Sequence, residues 1–142
     1  MSEASNSRTG GCHCGAVRYQ VMGAPKWTAH CHCASCRKTT GAALSTYAGY
    51  PRDQFVLLKG KPKRFASSQG VSREFCGVCG TPLTYASVRW PGEVHVLVCT
   101  FDEPAAFAPT AHIFVAEKMP WLHLGDDLPL HAGAPSAAKP AP

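Results

Sequence analysis

Short runs in which apolar and polar residues alternate, each cut off within a few positions by glycine or proline, dominate this chain and argue for β-strands. They lie at 16–21, 27–32, 43–48, 55–58, 64–67, 72–75, 83–88, 94–101 and 112–115. Trp90-Pro91-Gly92 separates two of these runs and predicts a hairpin connection. In the run that follows, the two-residue period places Val94, Val96 and Val98 on one face and His95, Leu97 and Cys99 on the other. Only residues 34–39 read as a helical turn, which carries Cys36 and finds a suitable exit at Gly41. So many short strands without an internal repeat predict a small, curved, mainly β structure of antiparallel strands, with residues 10–131 as a single domain. Residues 1–9 are polar, and residues 132–142 are rich in Pro and Ala without bulky apolar side chains, so both ends are expected to be loose.

Composition narrows the class. With 142 residues and 45% hydrophobic content, the chain can bury a core of its own. It has no apolar run of membrane-spanning length, and its opening residues lack the basic-then-apolar order of an export signal. A cytoplasmic protein without a membrane partner is expected. The formal charge of +5 treats every cysteine as neutral. Seven thiolates and two divalent ions together contribute −3, which would bring the total to +2. The one dense basic group, Lys59, Lys61, Lys63 and Arg64, includes Gly60 and Pro62 and reads as a solvated turn. Nucleic acid is therefore not an expected partner.

Chemistry enters with the cysteines. Of eight, seven fall into three groups: Cys12 and Cys14; Cys31, Cys33 and Cys36; Cys76 and Cys79. Sulfurs one or two residues apart are poorly placed for disulfides with each other but can share a zinc ion, and a reducing compartment keeps them as thiolates. A CxC and a CxxC together make a closed four-sulfur site, which leaves a CxCxxC as a three-sulfur site with one position free. Closed sites hold folds together, and open sites do chemistry. Cys76-Gly77-Val78-Cys79-Gly80 has the form of a zinc knuckle, while Gly10, Gly11 and Gly15 make it cheap to bend Cys12 and Cys14 toward one ion. His13 between them reads as a solvent-facing spacer. A structural zinc can contribute on the order of ~10 kcal/mol, comparable with a small domain's whole stability.

Cys31, Cys33 and Cys36 span a strand end and the first helical turn and can cover one hemisphere of a metal. Three thiolates leave Zn²⁺ with a net −1, which weakens carbonyl polarisation and favours capture and deprotonation of a thiol substrate. His32 is a candidate base or an exposed spacer. Arg37 and Lys38 could offset the local charge and hold a carboxylate, or form a solvated pair. Cys99, His95 and His112 compete for the vacant position, although Cys99 also suits a small buried apolar role. Tyr47, Trp90 and Trp121 could line a pocket, the core or an interface. The chain has no GxSxG and no phosphate-cradling glycine loop.

Gly11-Cys12-His13-Cys14-Gly15-Ala16-Val17, Cys31-His32-Cys33-Ala34-Ser35-Cys36-Arg37 and Phe75-Cys76-Gly77-Val78-Cys79-Gly80-Thr81, with Asp102, Pro104, His112-Ile113 and Pro120-Trp121 downstream, resemble the glutathione-dependent formaldehyde-activating enzyme family, also called centromere protein V-like. The resemblance runs over roughly residues 10–129. It implies a β-tent-like fold around two zinc ions, one structural on Cys12, Cys14, Cys76 and Cys79, and one catalytic on Cys31, Cys33 and Cys36. It further implies a carbon–sulfur lyase-type enzyme that joins glutathione to formaldehyde as S-hydroxymethylglutathione, with another small aldehyde as a possible substrate. His32 and Arg37 stand as the catalytic candidates, in a monomer or homodimer. One departure is Cys99, where the family commonly carries glycine. The rival reading is a non-catalytic interaction module with two structural zincs.

Overall fold

The computed structural model describes residues 6–134, and the remaining parts of the expected loose ends, 1–5 and 135–142, lie outside the described residues. Ten strands and one α-helix follow in order: β1 (Ser7–Gly11), β2 (Arg18–Met22), β3 (Trp27–Cys31), α1 (Ala34–Thr40), β4 (Ser45–Pro51), β5 (Phe55–Lys59), β6 (Lys63–Ser68), β7 (Val71–Phe75), β8 (Pro82–Ser87), β9 (Glu93–Leu97) and β10 (His112–Ile113). The fold is mainly β. Each of the nine expected runs overlaps a strand, and β1 is the addition. It carries no apolar residue and so shows no alternation, yet its backbone pairs with β2 from Ser7↔Met22 to Gly11↔Arg18. Residues 7–9, expected to be loose, are thus part of a sheet. At the other end, Phe114 and Ala116 donate backbone hydrogen bonds to Gly133 and Ala132, which ties residues 132–133 down as well.

The strands form two sheets, a small one in the order β1-β2-β5 and a large one in the order β10-β3-β4-β9-β8-β7-β6. All pairings are antiparallel except β10 with β3, where His112 and Ile113 lie parallel to His30 and Cys31. That departs from the expected all-antiparallel arrangement. The long connection from β9 to β10 lets the chain re-enter the sheet in the same direction as β3.

Alternation gives the large sheet two different faces. Ala48 and Tyr50 on β4, with Val94 and Val96 on β9, join Tyr19 and Val21 of the small sheet in the main core. Ala29 and Cys31 on β3, Tyr47 on β4 and Ile113 on β10 pack on the other side with Cys36 of α1. The expected faces of β9 are therefore seen through Leu97. There the strand ends and Val98–Thr100 tighten into a 3-10 turn, which leaves Val98 buried and turns Cys99 out to solvent. The helix starts where expected and runs one residue further, to Thr40: Cys33 caps its start, and Gly41 closes it at φ 72, a left-handed conformation that costs glycine no Cβ clash. The basic residues Lys59, Lys61, Lys63 and Arg64 are exposed around the β5–β6 turn, as expected of a solvated segment. No helix of the described residues is long and apolar enough to cross a membrane.

Candidate functional site

The seven clustered cysteines meet in the two expected groups. The sulfurs of Cys12, Cys14, Cys76 and Cys79 lie within 4.8 Å of one another, as do those of Cys31, Cys33 and Cys36. A tetrahedral ion with sulfurs at about 2.3 Å sets its ligands about 3.8 Å apart. The measured spacings match: Cys12–Cys14 is 3.6 Å, Cys14–Cys76 is 3.8 Å and Cys31–Cys36 is 3.7 Å. Both groups could hold a metal ion.

In the four-sulfur group, Cys12 and Cys14 come from the β1–β2 connection of the small sheet, and Cys76 and Cys79 from the β7–β8 turn of the large one. An ion there would bridge the two sheets. Backbone N–H groups already point at the sulfurs: Val17 donates to Cys12 at 3.2 Å, and Val78 and Cys79 donate to Cys76 at 3.3 and 3.4 Å. The Thr81 hydroxyl meets Cys79 at 3.1 Å, and this contact, with backbone N–H groups, lowers the Cys79 thiol to about 5. Gly15 and Gly80 complete the two turns at φ 83 and 82. His13 is exposed, as expected of a spacer.

The three-sulfur group has different surroundings. Cys31 ends β3, Cys33 caps α1 and Cys36 lies in its first turn, with Cys36 N–H donating to Cys33 Sγ at 3.3 Å. The sulfurs form part of the wall of a cavity of about 220 Å³, whose other walls include Trp27, Tyr47, Arg73, Tyr85, Trp90 and His95. Tyr47 donates its hydroxyl to Cys36 Sγ at 3.5 Å and accepts from Arg73 Nη1 at 3.3 Å. Both terminal nitrogens of Arg73 lie 3.9–4.0 Å from Cys36 Sγ. The Cys31 and Cys33 thiols, then Tyr47 and Arg73, hold Cys36 far below the usual thiol range. Burial, followed by the charge on Cys36, keeps Tyr47 protonated.

Behind this front, Arg73 packs over the Tyr85 ring at 4.9 Å, and Tyr85 stacks on His95 at 5.3 Å. His95 donates to Glu93 at 2.9 Å, and Glu93 also takes Lys26 at 2.8 Å and Trp27 Nε1 at 3.3 Å. Burial raises the Glu93 carboxyl, but hydrogen bonds from His95, Lys26 and Trp27 outweigh it and bring it down to about 2.

Among the described residues, no fourth His, Cys, Asp or Glu joins Cys31, Cys33 and Cys36 at ligand spacing. Of the three candidates for that place, Cys99 is exposed in its 3-10 turn, His95 is bound to Glu93, and His112 belongs to a separate cluster with His30 and Asp126. Cys99 is therefore not the small buried residue its strand-like context suggests.

The two expected catalytic residues are placed elsewhere. His32 is fully buried, shares a 2.9 Å hydrogen bond with His112, and is not among the cavity-lining residues. Burial lowers it to about 4, so it is a neutral imidazole at neutral pH. Arg37 donates to the backbone oxygens of His32, at 2.7 Å, and of Glu117, fastening α1 to the segment after β10. Of the three aromatic candidates, Tyr47 and Trp90 line the cavity, whereas Trp121 is exposed and does not.

Residues 7–117 match the model of a family described as glutathione-dependent formaldehyde-activating enzyme. A protein of Halomonas elongata named "Putative glutathione-dependent formaldehyde-activating enzyme" is 28% identical over 124 residues, which cover 81% of this chain and 79% of that protein. A crystal structure of a Rhodobacter sphaeroides protein superimposes with a TM-score of 0.53 at 20% identity, covering 86% of this chain and 98% of that one. At that identity, the second likeness speaks for the fold.

Proposed function

The chain belongs to the glutathione-dependent formaldehyde-activating enzyme family, and from this we propose that it is a zinc enzyme that joins the thiol of glutathione to formaldehyde or another small aldehyde. The product is an S-hydroxymethyl adduct, and the reaction is a carbon–sulfur lyase reaction run in the bond-forming direction. Cys31, Cys33 and Cys36 would hold the catalytic zinc, and Cys12, Cys14, Cys76 and Cys79 a structural one. One observation carries the reading: the three-sulfur set opens on a cavity, without a fourth protein ligand among the described residues.

Zinc bound there supplies an open position that favours the thiolate form of a substrate thiol. The chain's own groups supply the rest. Arg73 places a cation against the sulfurs and offsets the charge of three thiolates. Tyr47 is a protonated hydroxyl at the same place, suited to give its proton to the oxygen that becomes an alkoxide as sulfur bonds to the carbonyl carbon. The S–H proton replaces it, so atoms and charge balance without an oxidant. Trp27, Tyr85 and Trp90 wall the cavity with apolar surface, and Arg89, exposed at its edge, offers a partner for a glutathione carboxylate. His32 and Arg37 take no step, because their side chains are occupied outside the cavity.

NMR exchange measurements on glutathione and formaldehyde test the proposal. With two zincs per chain, the wild-type protein is expected to accelerate exchange between free and adduct forms, and Cys36→Ser, still folded but with one zinc, is expected to lose that acceleration. No acceleration by the wild type over the uncatalysed reaction would refute the glutathione–formaldehyde assignment.

A further inference from the structure

The alternation that points Cys31 into the cavity sends its neighbours the other way. His30 lies one residue before Cys31 and His32 one residue after it, while β10 runs beside β3 with His112 directly paired to His30. Three imidazoles therefore gather on the face of β3 and β10 opposite the cysteine cluster. His30 and His112 lie with ring centroids 4.8 Å apart, and His32 and His112 with centroids 5.1 Å apart. Asp126, from the loop after β10, closes the group: its two carboxylate oxygens are 3.1 and 3.0 Å from His112 Nε2.

We propose that His30, His112 and Asp126 form a third metal site, for a divalent transition-metal ion on nitrogen and oxygen ligands. One ligand atom from each of the three lies within 4.8 Å of the others. Ligands held at about 2.0–2.2 Å by one ion of this class lie about 2.8–3.6 Å from each other, and the 3.0 Å between His112 Nε2 and Asp126 already falls in that range. The unused atoms are disposed as such a site requires. His30 Nδ1 is 2.8 Å from the Thr46 hydroxyl, which leaves Nε2 for the ion. His112 Nδ1 is 2.9 Å from His32 Nε2, an outer partner that fixes the ring of a ligating histidine. His32 Nδ1 is buried without a partner, so this imidazole serves no other described contact than the one to His112.

The donor set separates this site from the two sulfur clusters. Two imidazoles and a carboxylate leave coordination positions for water, and the Asp126 side chain, 42% exposed, marks the side from which an ion and its water enter. Occupancy would clamp the loop carrying Asp126 to the sheet. The same loop runs on to His131, whose backbone bonds to His112, and then to Ala134, which lines the cysteine cavity. Nothing in this depends on the glutathione chemistry.

Cobalt(II) is a suitable probe. Protein with its cysteine sites filled by zinc is titrated with Co²⁺ and followed in the visible and near ultraviolet. One saturable equivalent is expected, with weak d–d bands and no sulfur-to-cobalt charge transfer. Asp126→Asn and His30→Gln are each expected to weaken that uptake at least tenfold while zinc content stays unchanged. Asp126 sits on an exposed loop, so its variant remains informative if His30→Gln folds poorly. Absence of a saturable equivalent overturns the proposal, and so does uptake that survives Asp126→Asn unchanged, because the exposed histidines would then account for it.

Discussion

The two cysteine clusters share a ligand type and differ in everything around it. Cys12, Cys14, Cys76 and Cys79 form a complete tetrahedral set where two loops of different sheets meet, and the groups pointing at them are backbone N–H donors and a threonine hydroxyl. Cys31, Cys33 and Cys36 are one ligand short of that set, lie against a cavity, and face an arginine and a tyrosine. The first arrangement uses sulfur to join parts of the chain; the second leaves room for a molecule from outside. Ligand number and the immediate neighbours, rather than cysteine itself, separate a fastening from a reactive site.

Substitutions can break this contrast at graded cost. Cys76→Ser should have the largest effect. Cys76 is 1% exposed and its ion would bridge both sheets, so the loss approaches the ~10 kcal/mol scale of a structural zinc. A thermal melt without a cooperative transition is expected. Cys36→Ser should instead keep a cooperative melt and one zinc per chain while exchange catalysis falls by at least about a hundredfold. If Cys36→Ser unfolds the chain as Cys76→Ser does, the two clusters are not different in kind. Arg73→Met comes next, with catalysis reduced about 10- to 100-fold and both metals retained, as measured by exchange rate and metal analysis.

His32→Gln should shift the balance from activity to stability. Losing the buried bond to His112 costs about 1–3 kcal/mol in denaturant titration, with the exchange rate within about threefold of wild type. A large rate loss at full stability would restore His32 to the reaction. Cys99→Ser should do least, leaving metal content, melting temperature and rate unchanged, since the side chain is exposed and apart from both clusters.

Much of this was readable along the chain because the signals are local. Strand alternation and glycine breaks located nine strands, Gly41 marked the end of α1, and the CxC, CxCxxC and CxxC spacings anticipated the two cysteine clusters. β1 escaped because Ser7-Arg8-Thr9-Gly10-Gly11 has no apolar period and is held by backbone pairing alone. Cys99 was misplaced by carrying the period of β9 past Leu97, where the chain turns into a 3-10 segment. His32 could have been placed from the same rule, since a two-residue period puts it with His30, opposite Cys31. Arg73 gave no hint, because in Val71-Ser72-Arg73-Glu74-Phe75 a charge beside Glu74 reads as solvent-facing. Its contact with Cys36 spans 37 positions and depends on tertiary packing that brings β7, three strands from β4 in the sheet order, within reach of α1.

Cadmium-113 NMR on protein with cadmium in place of zinc examines the missing fourth ligand directly. Two resonances from sulfur-ligated ions are expected, one at the position of a four-sulfur site and one shifted toward a three-sulfur site with a light donor. Glutathione should move only the second, toward the four-sulfur position. Two four-sulfur resonances before any thiol is added, or a second resonance that glutathione leaves in place, would contradict an open site on Cys31, Cys33 and Cys36.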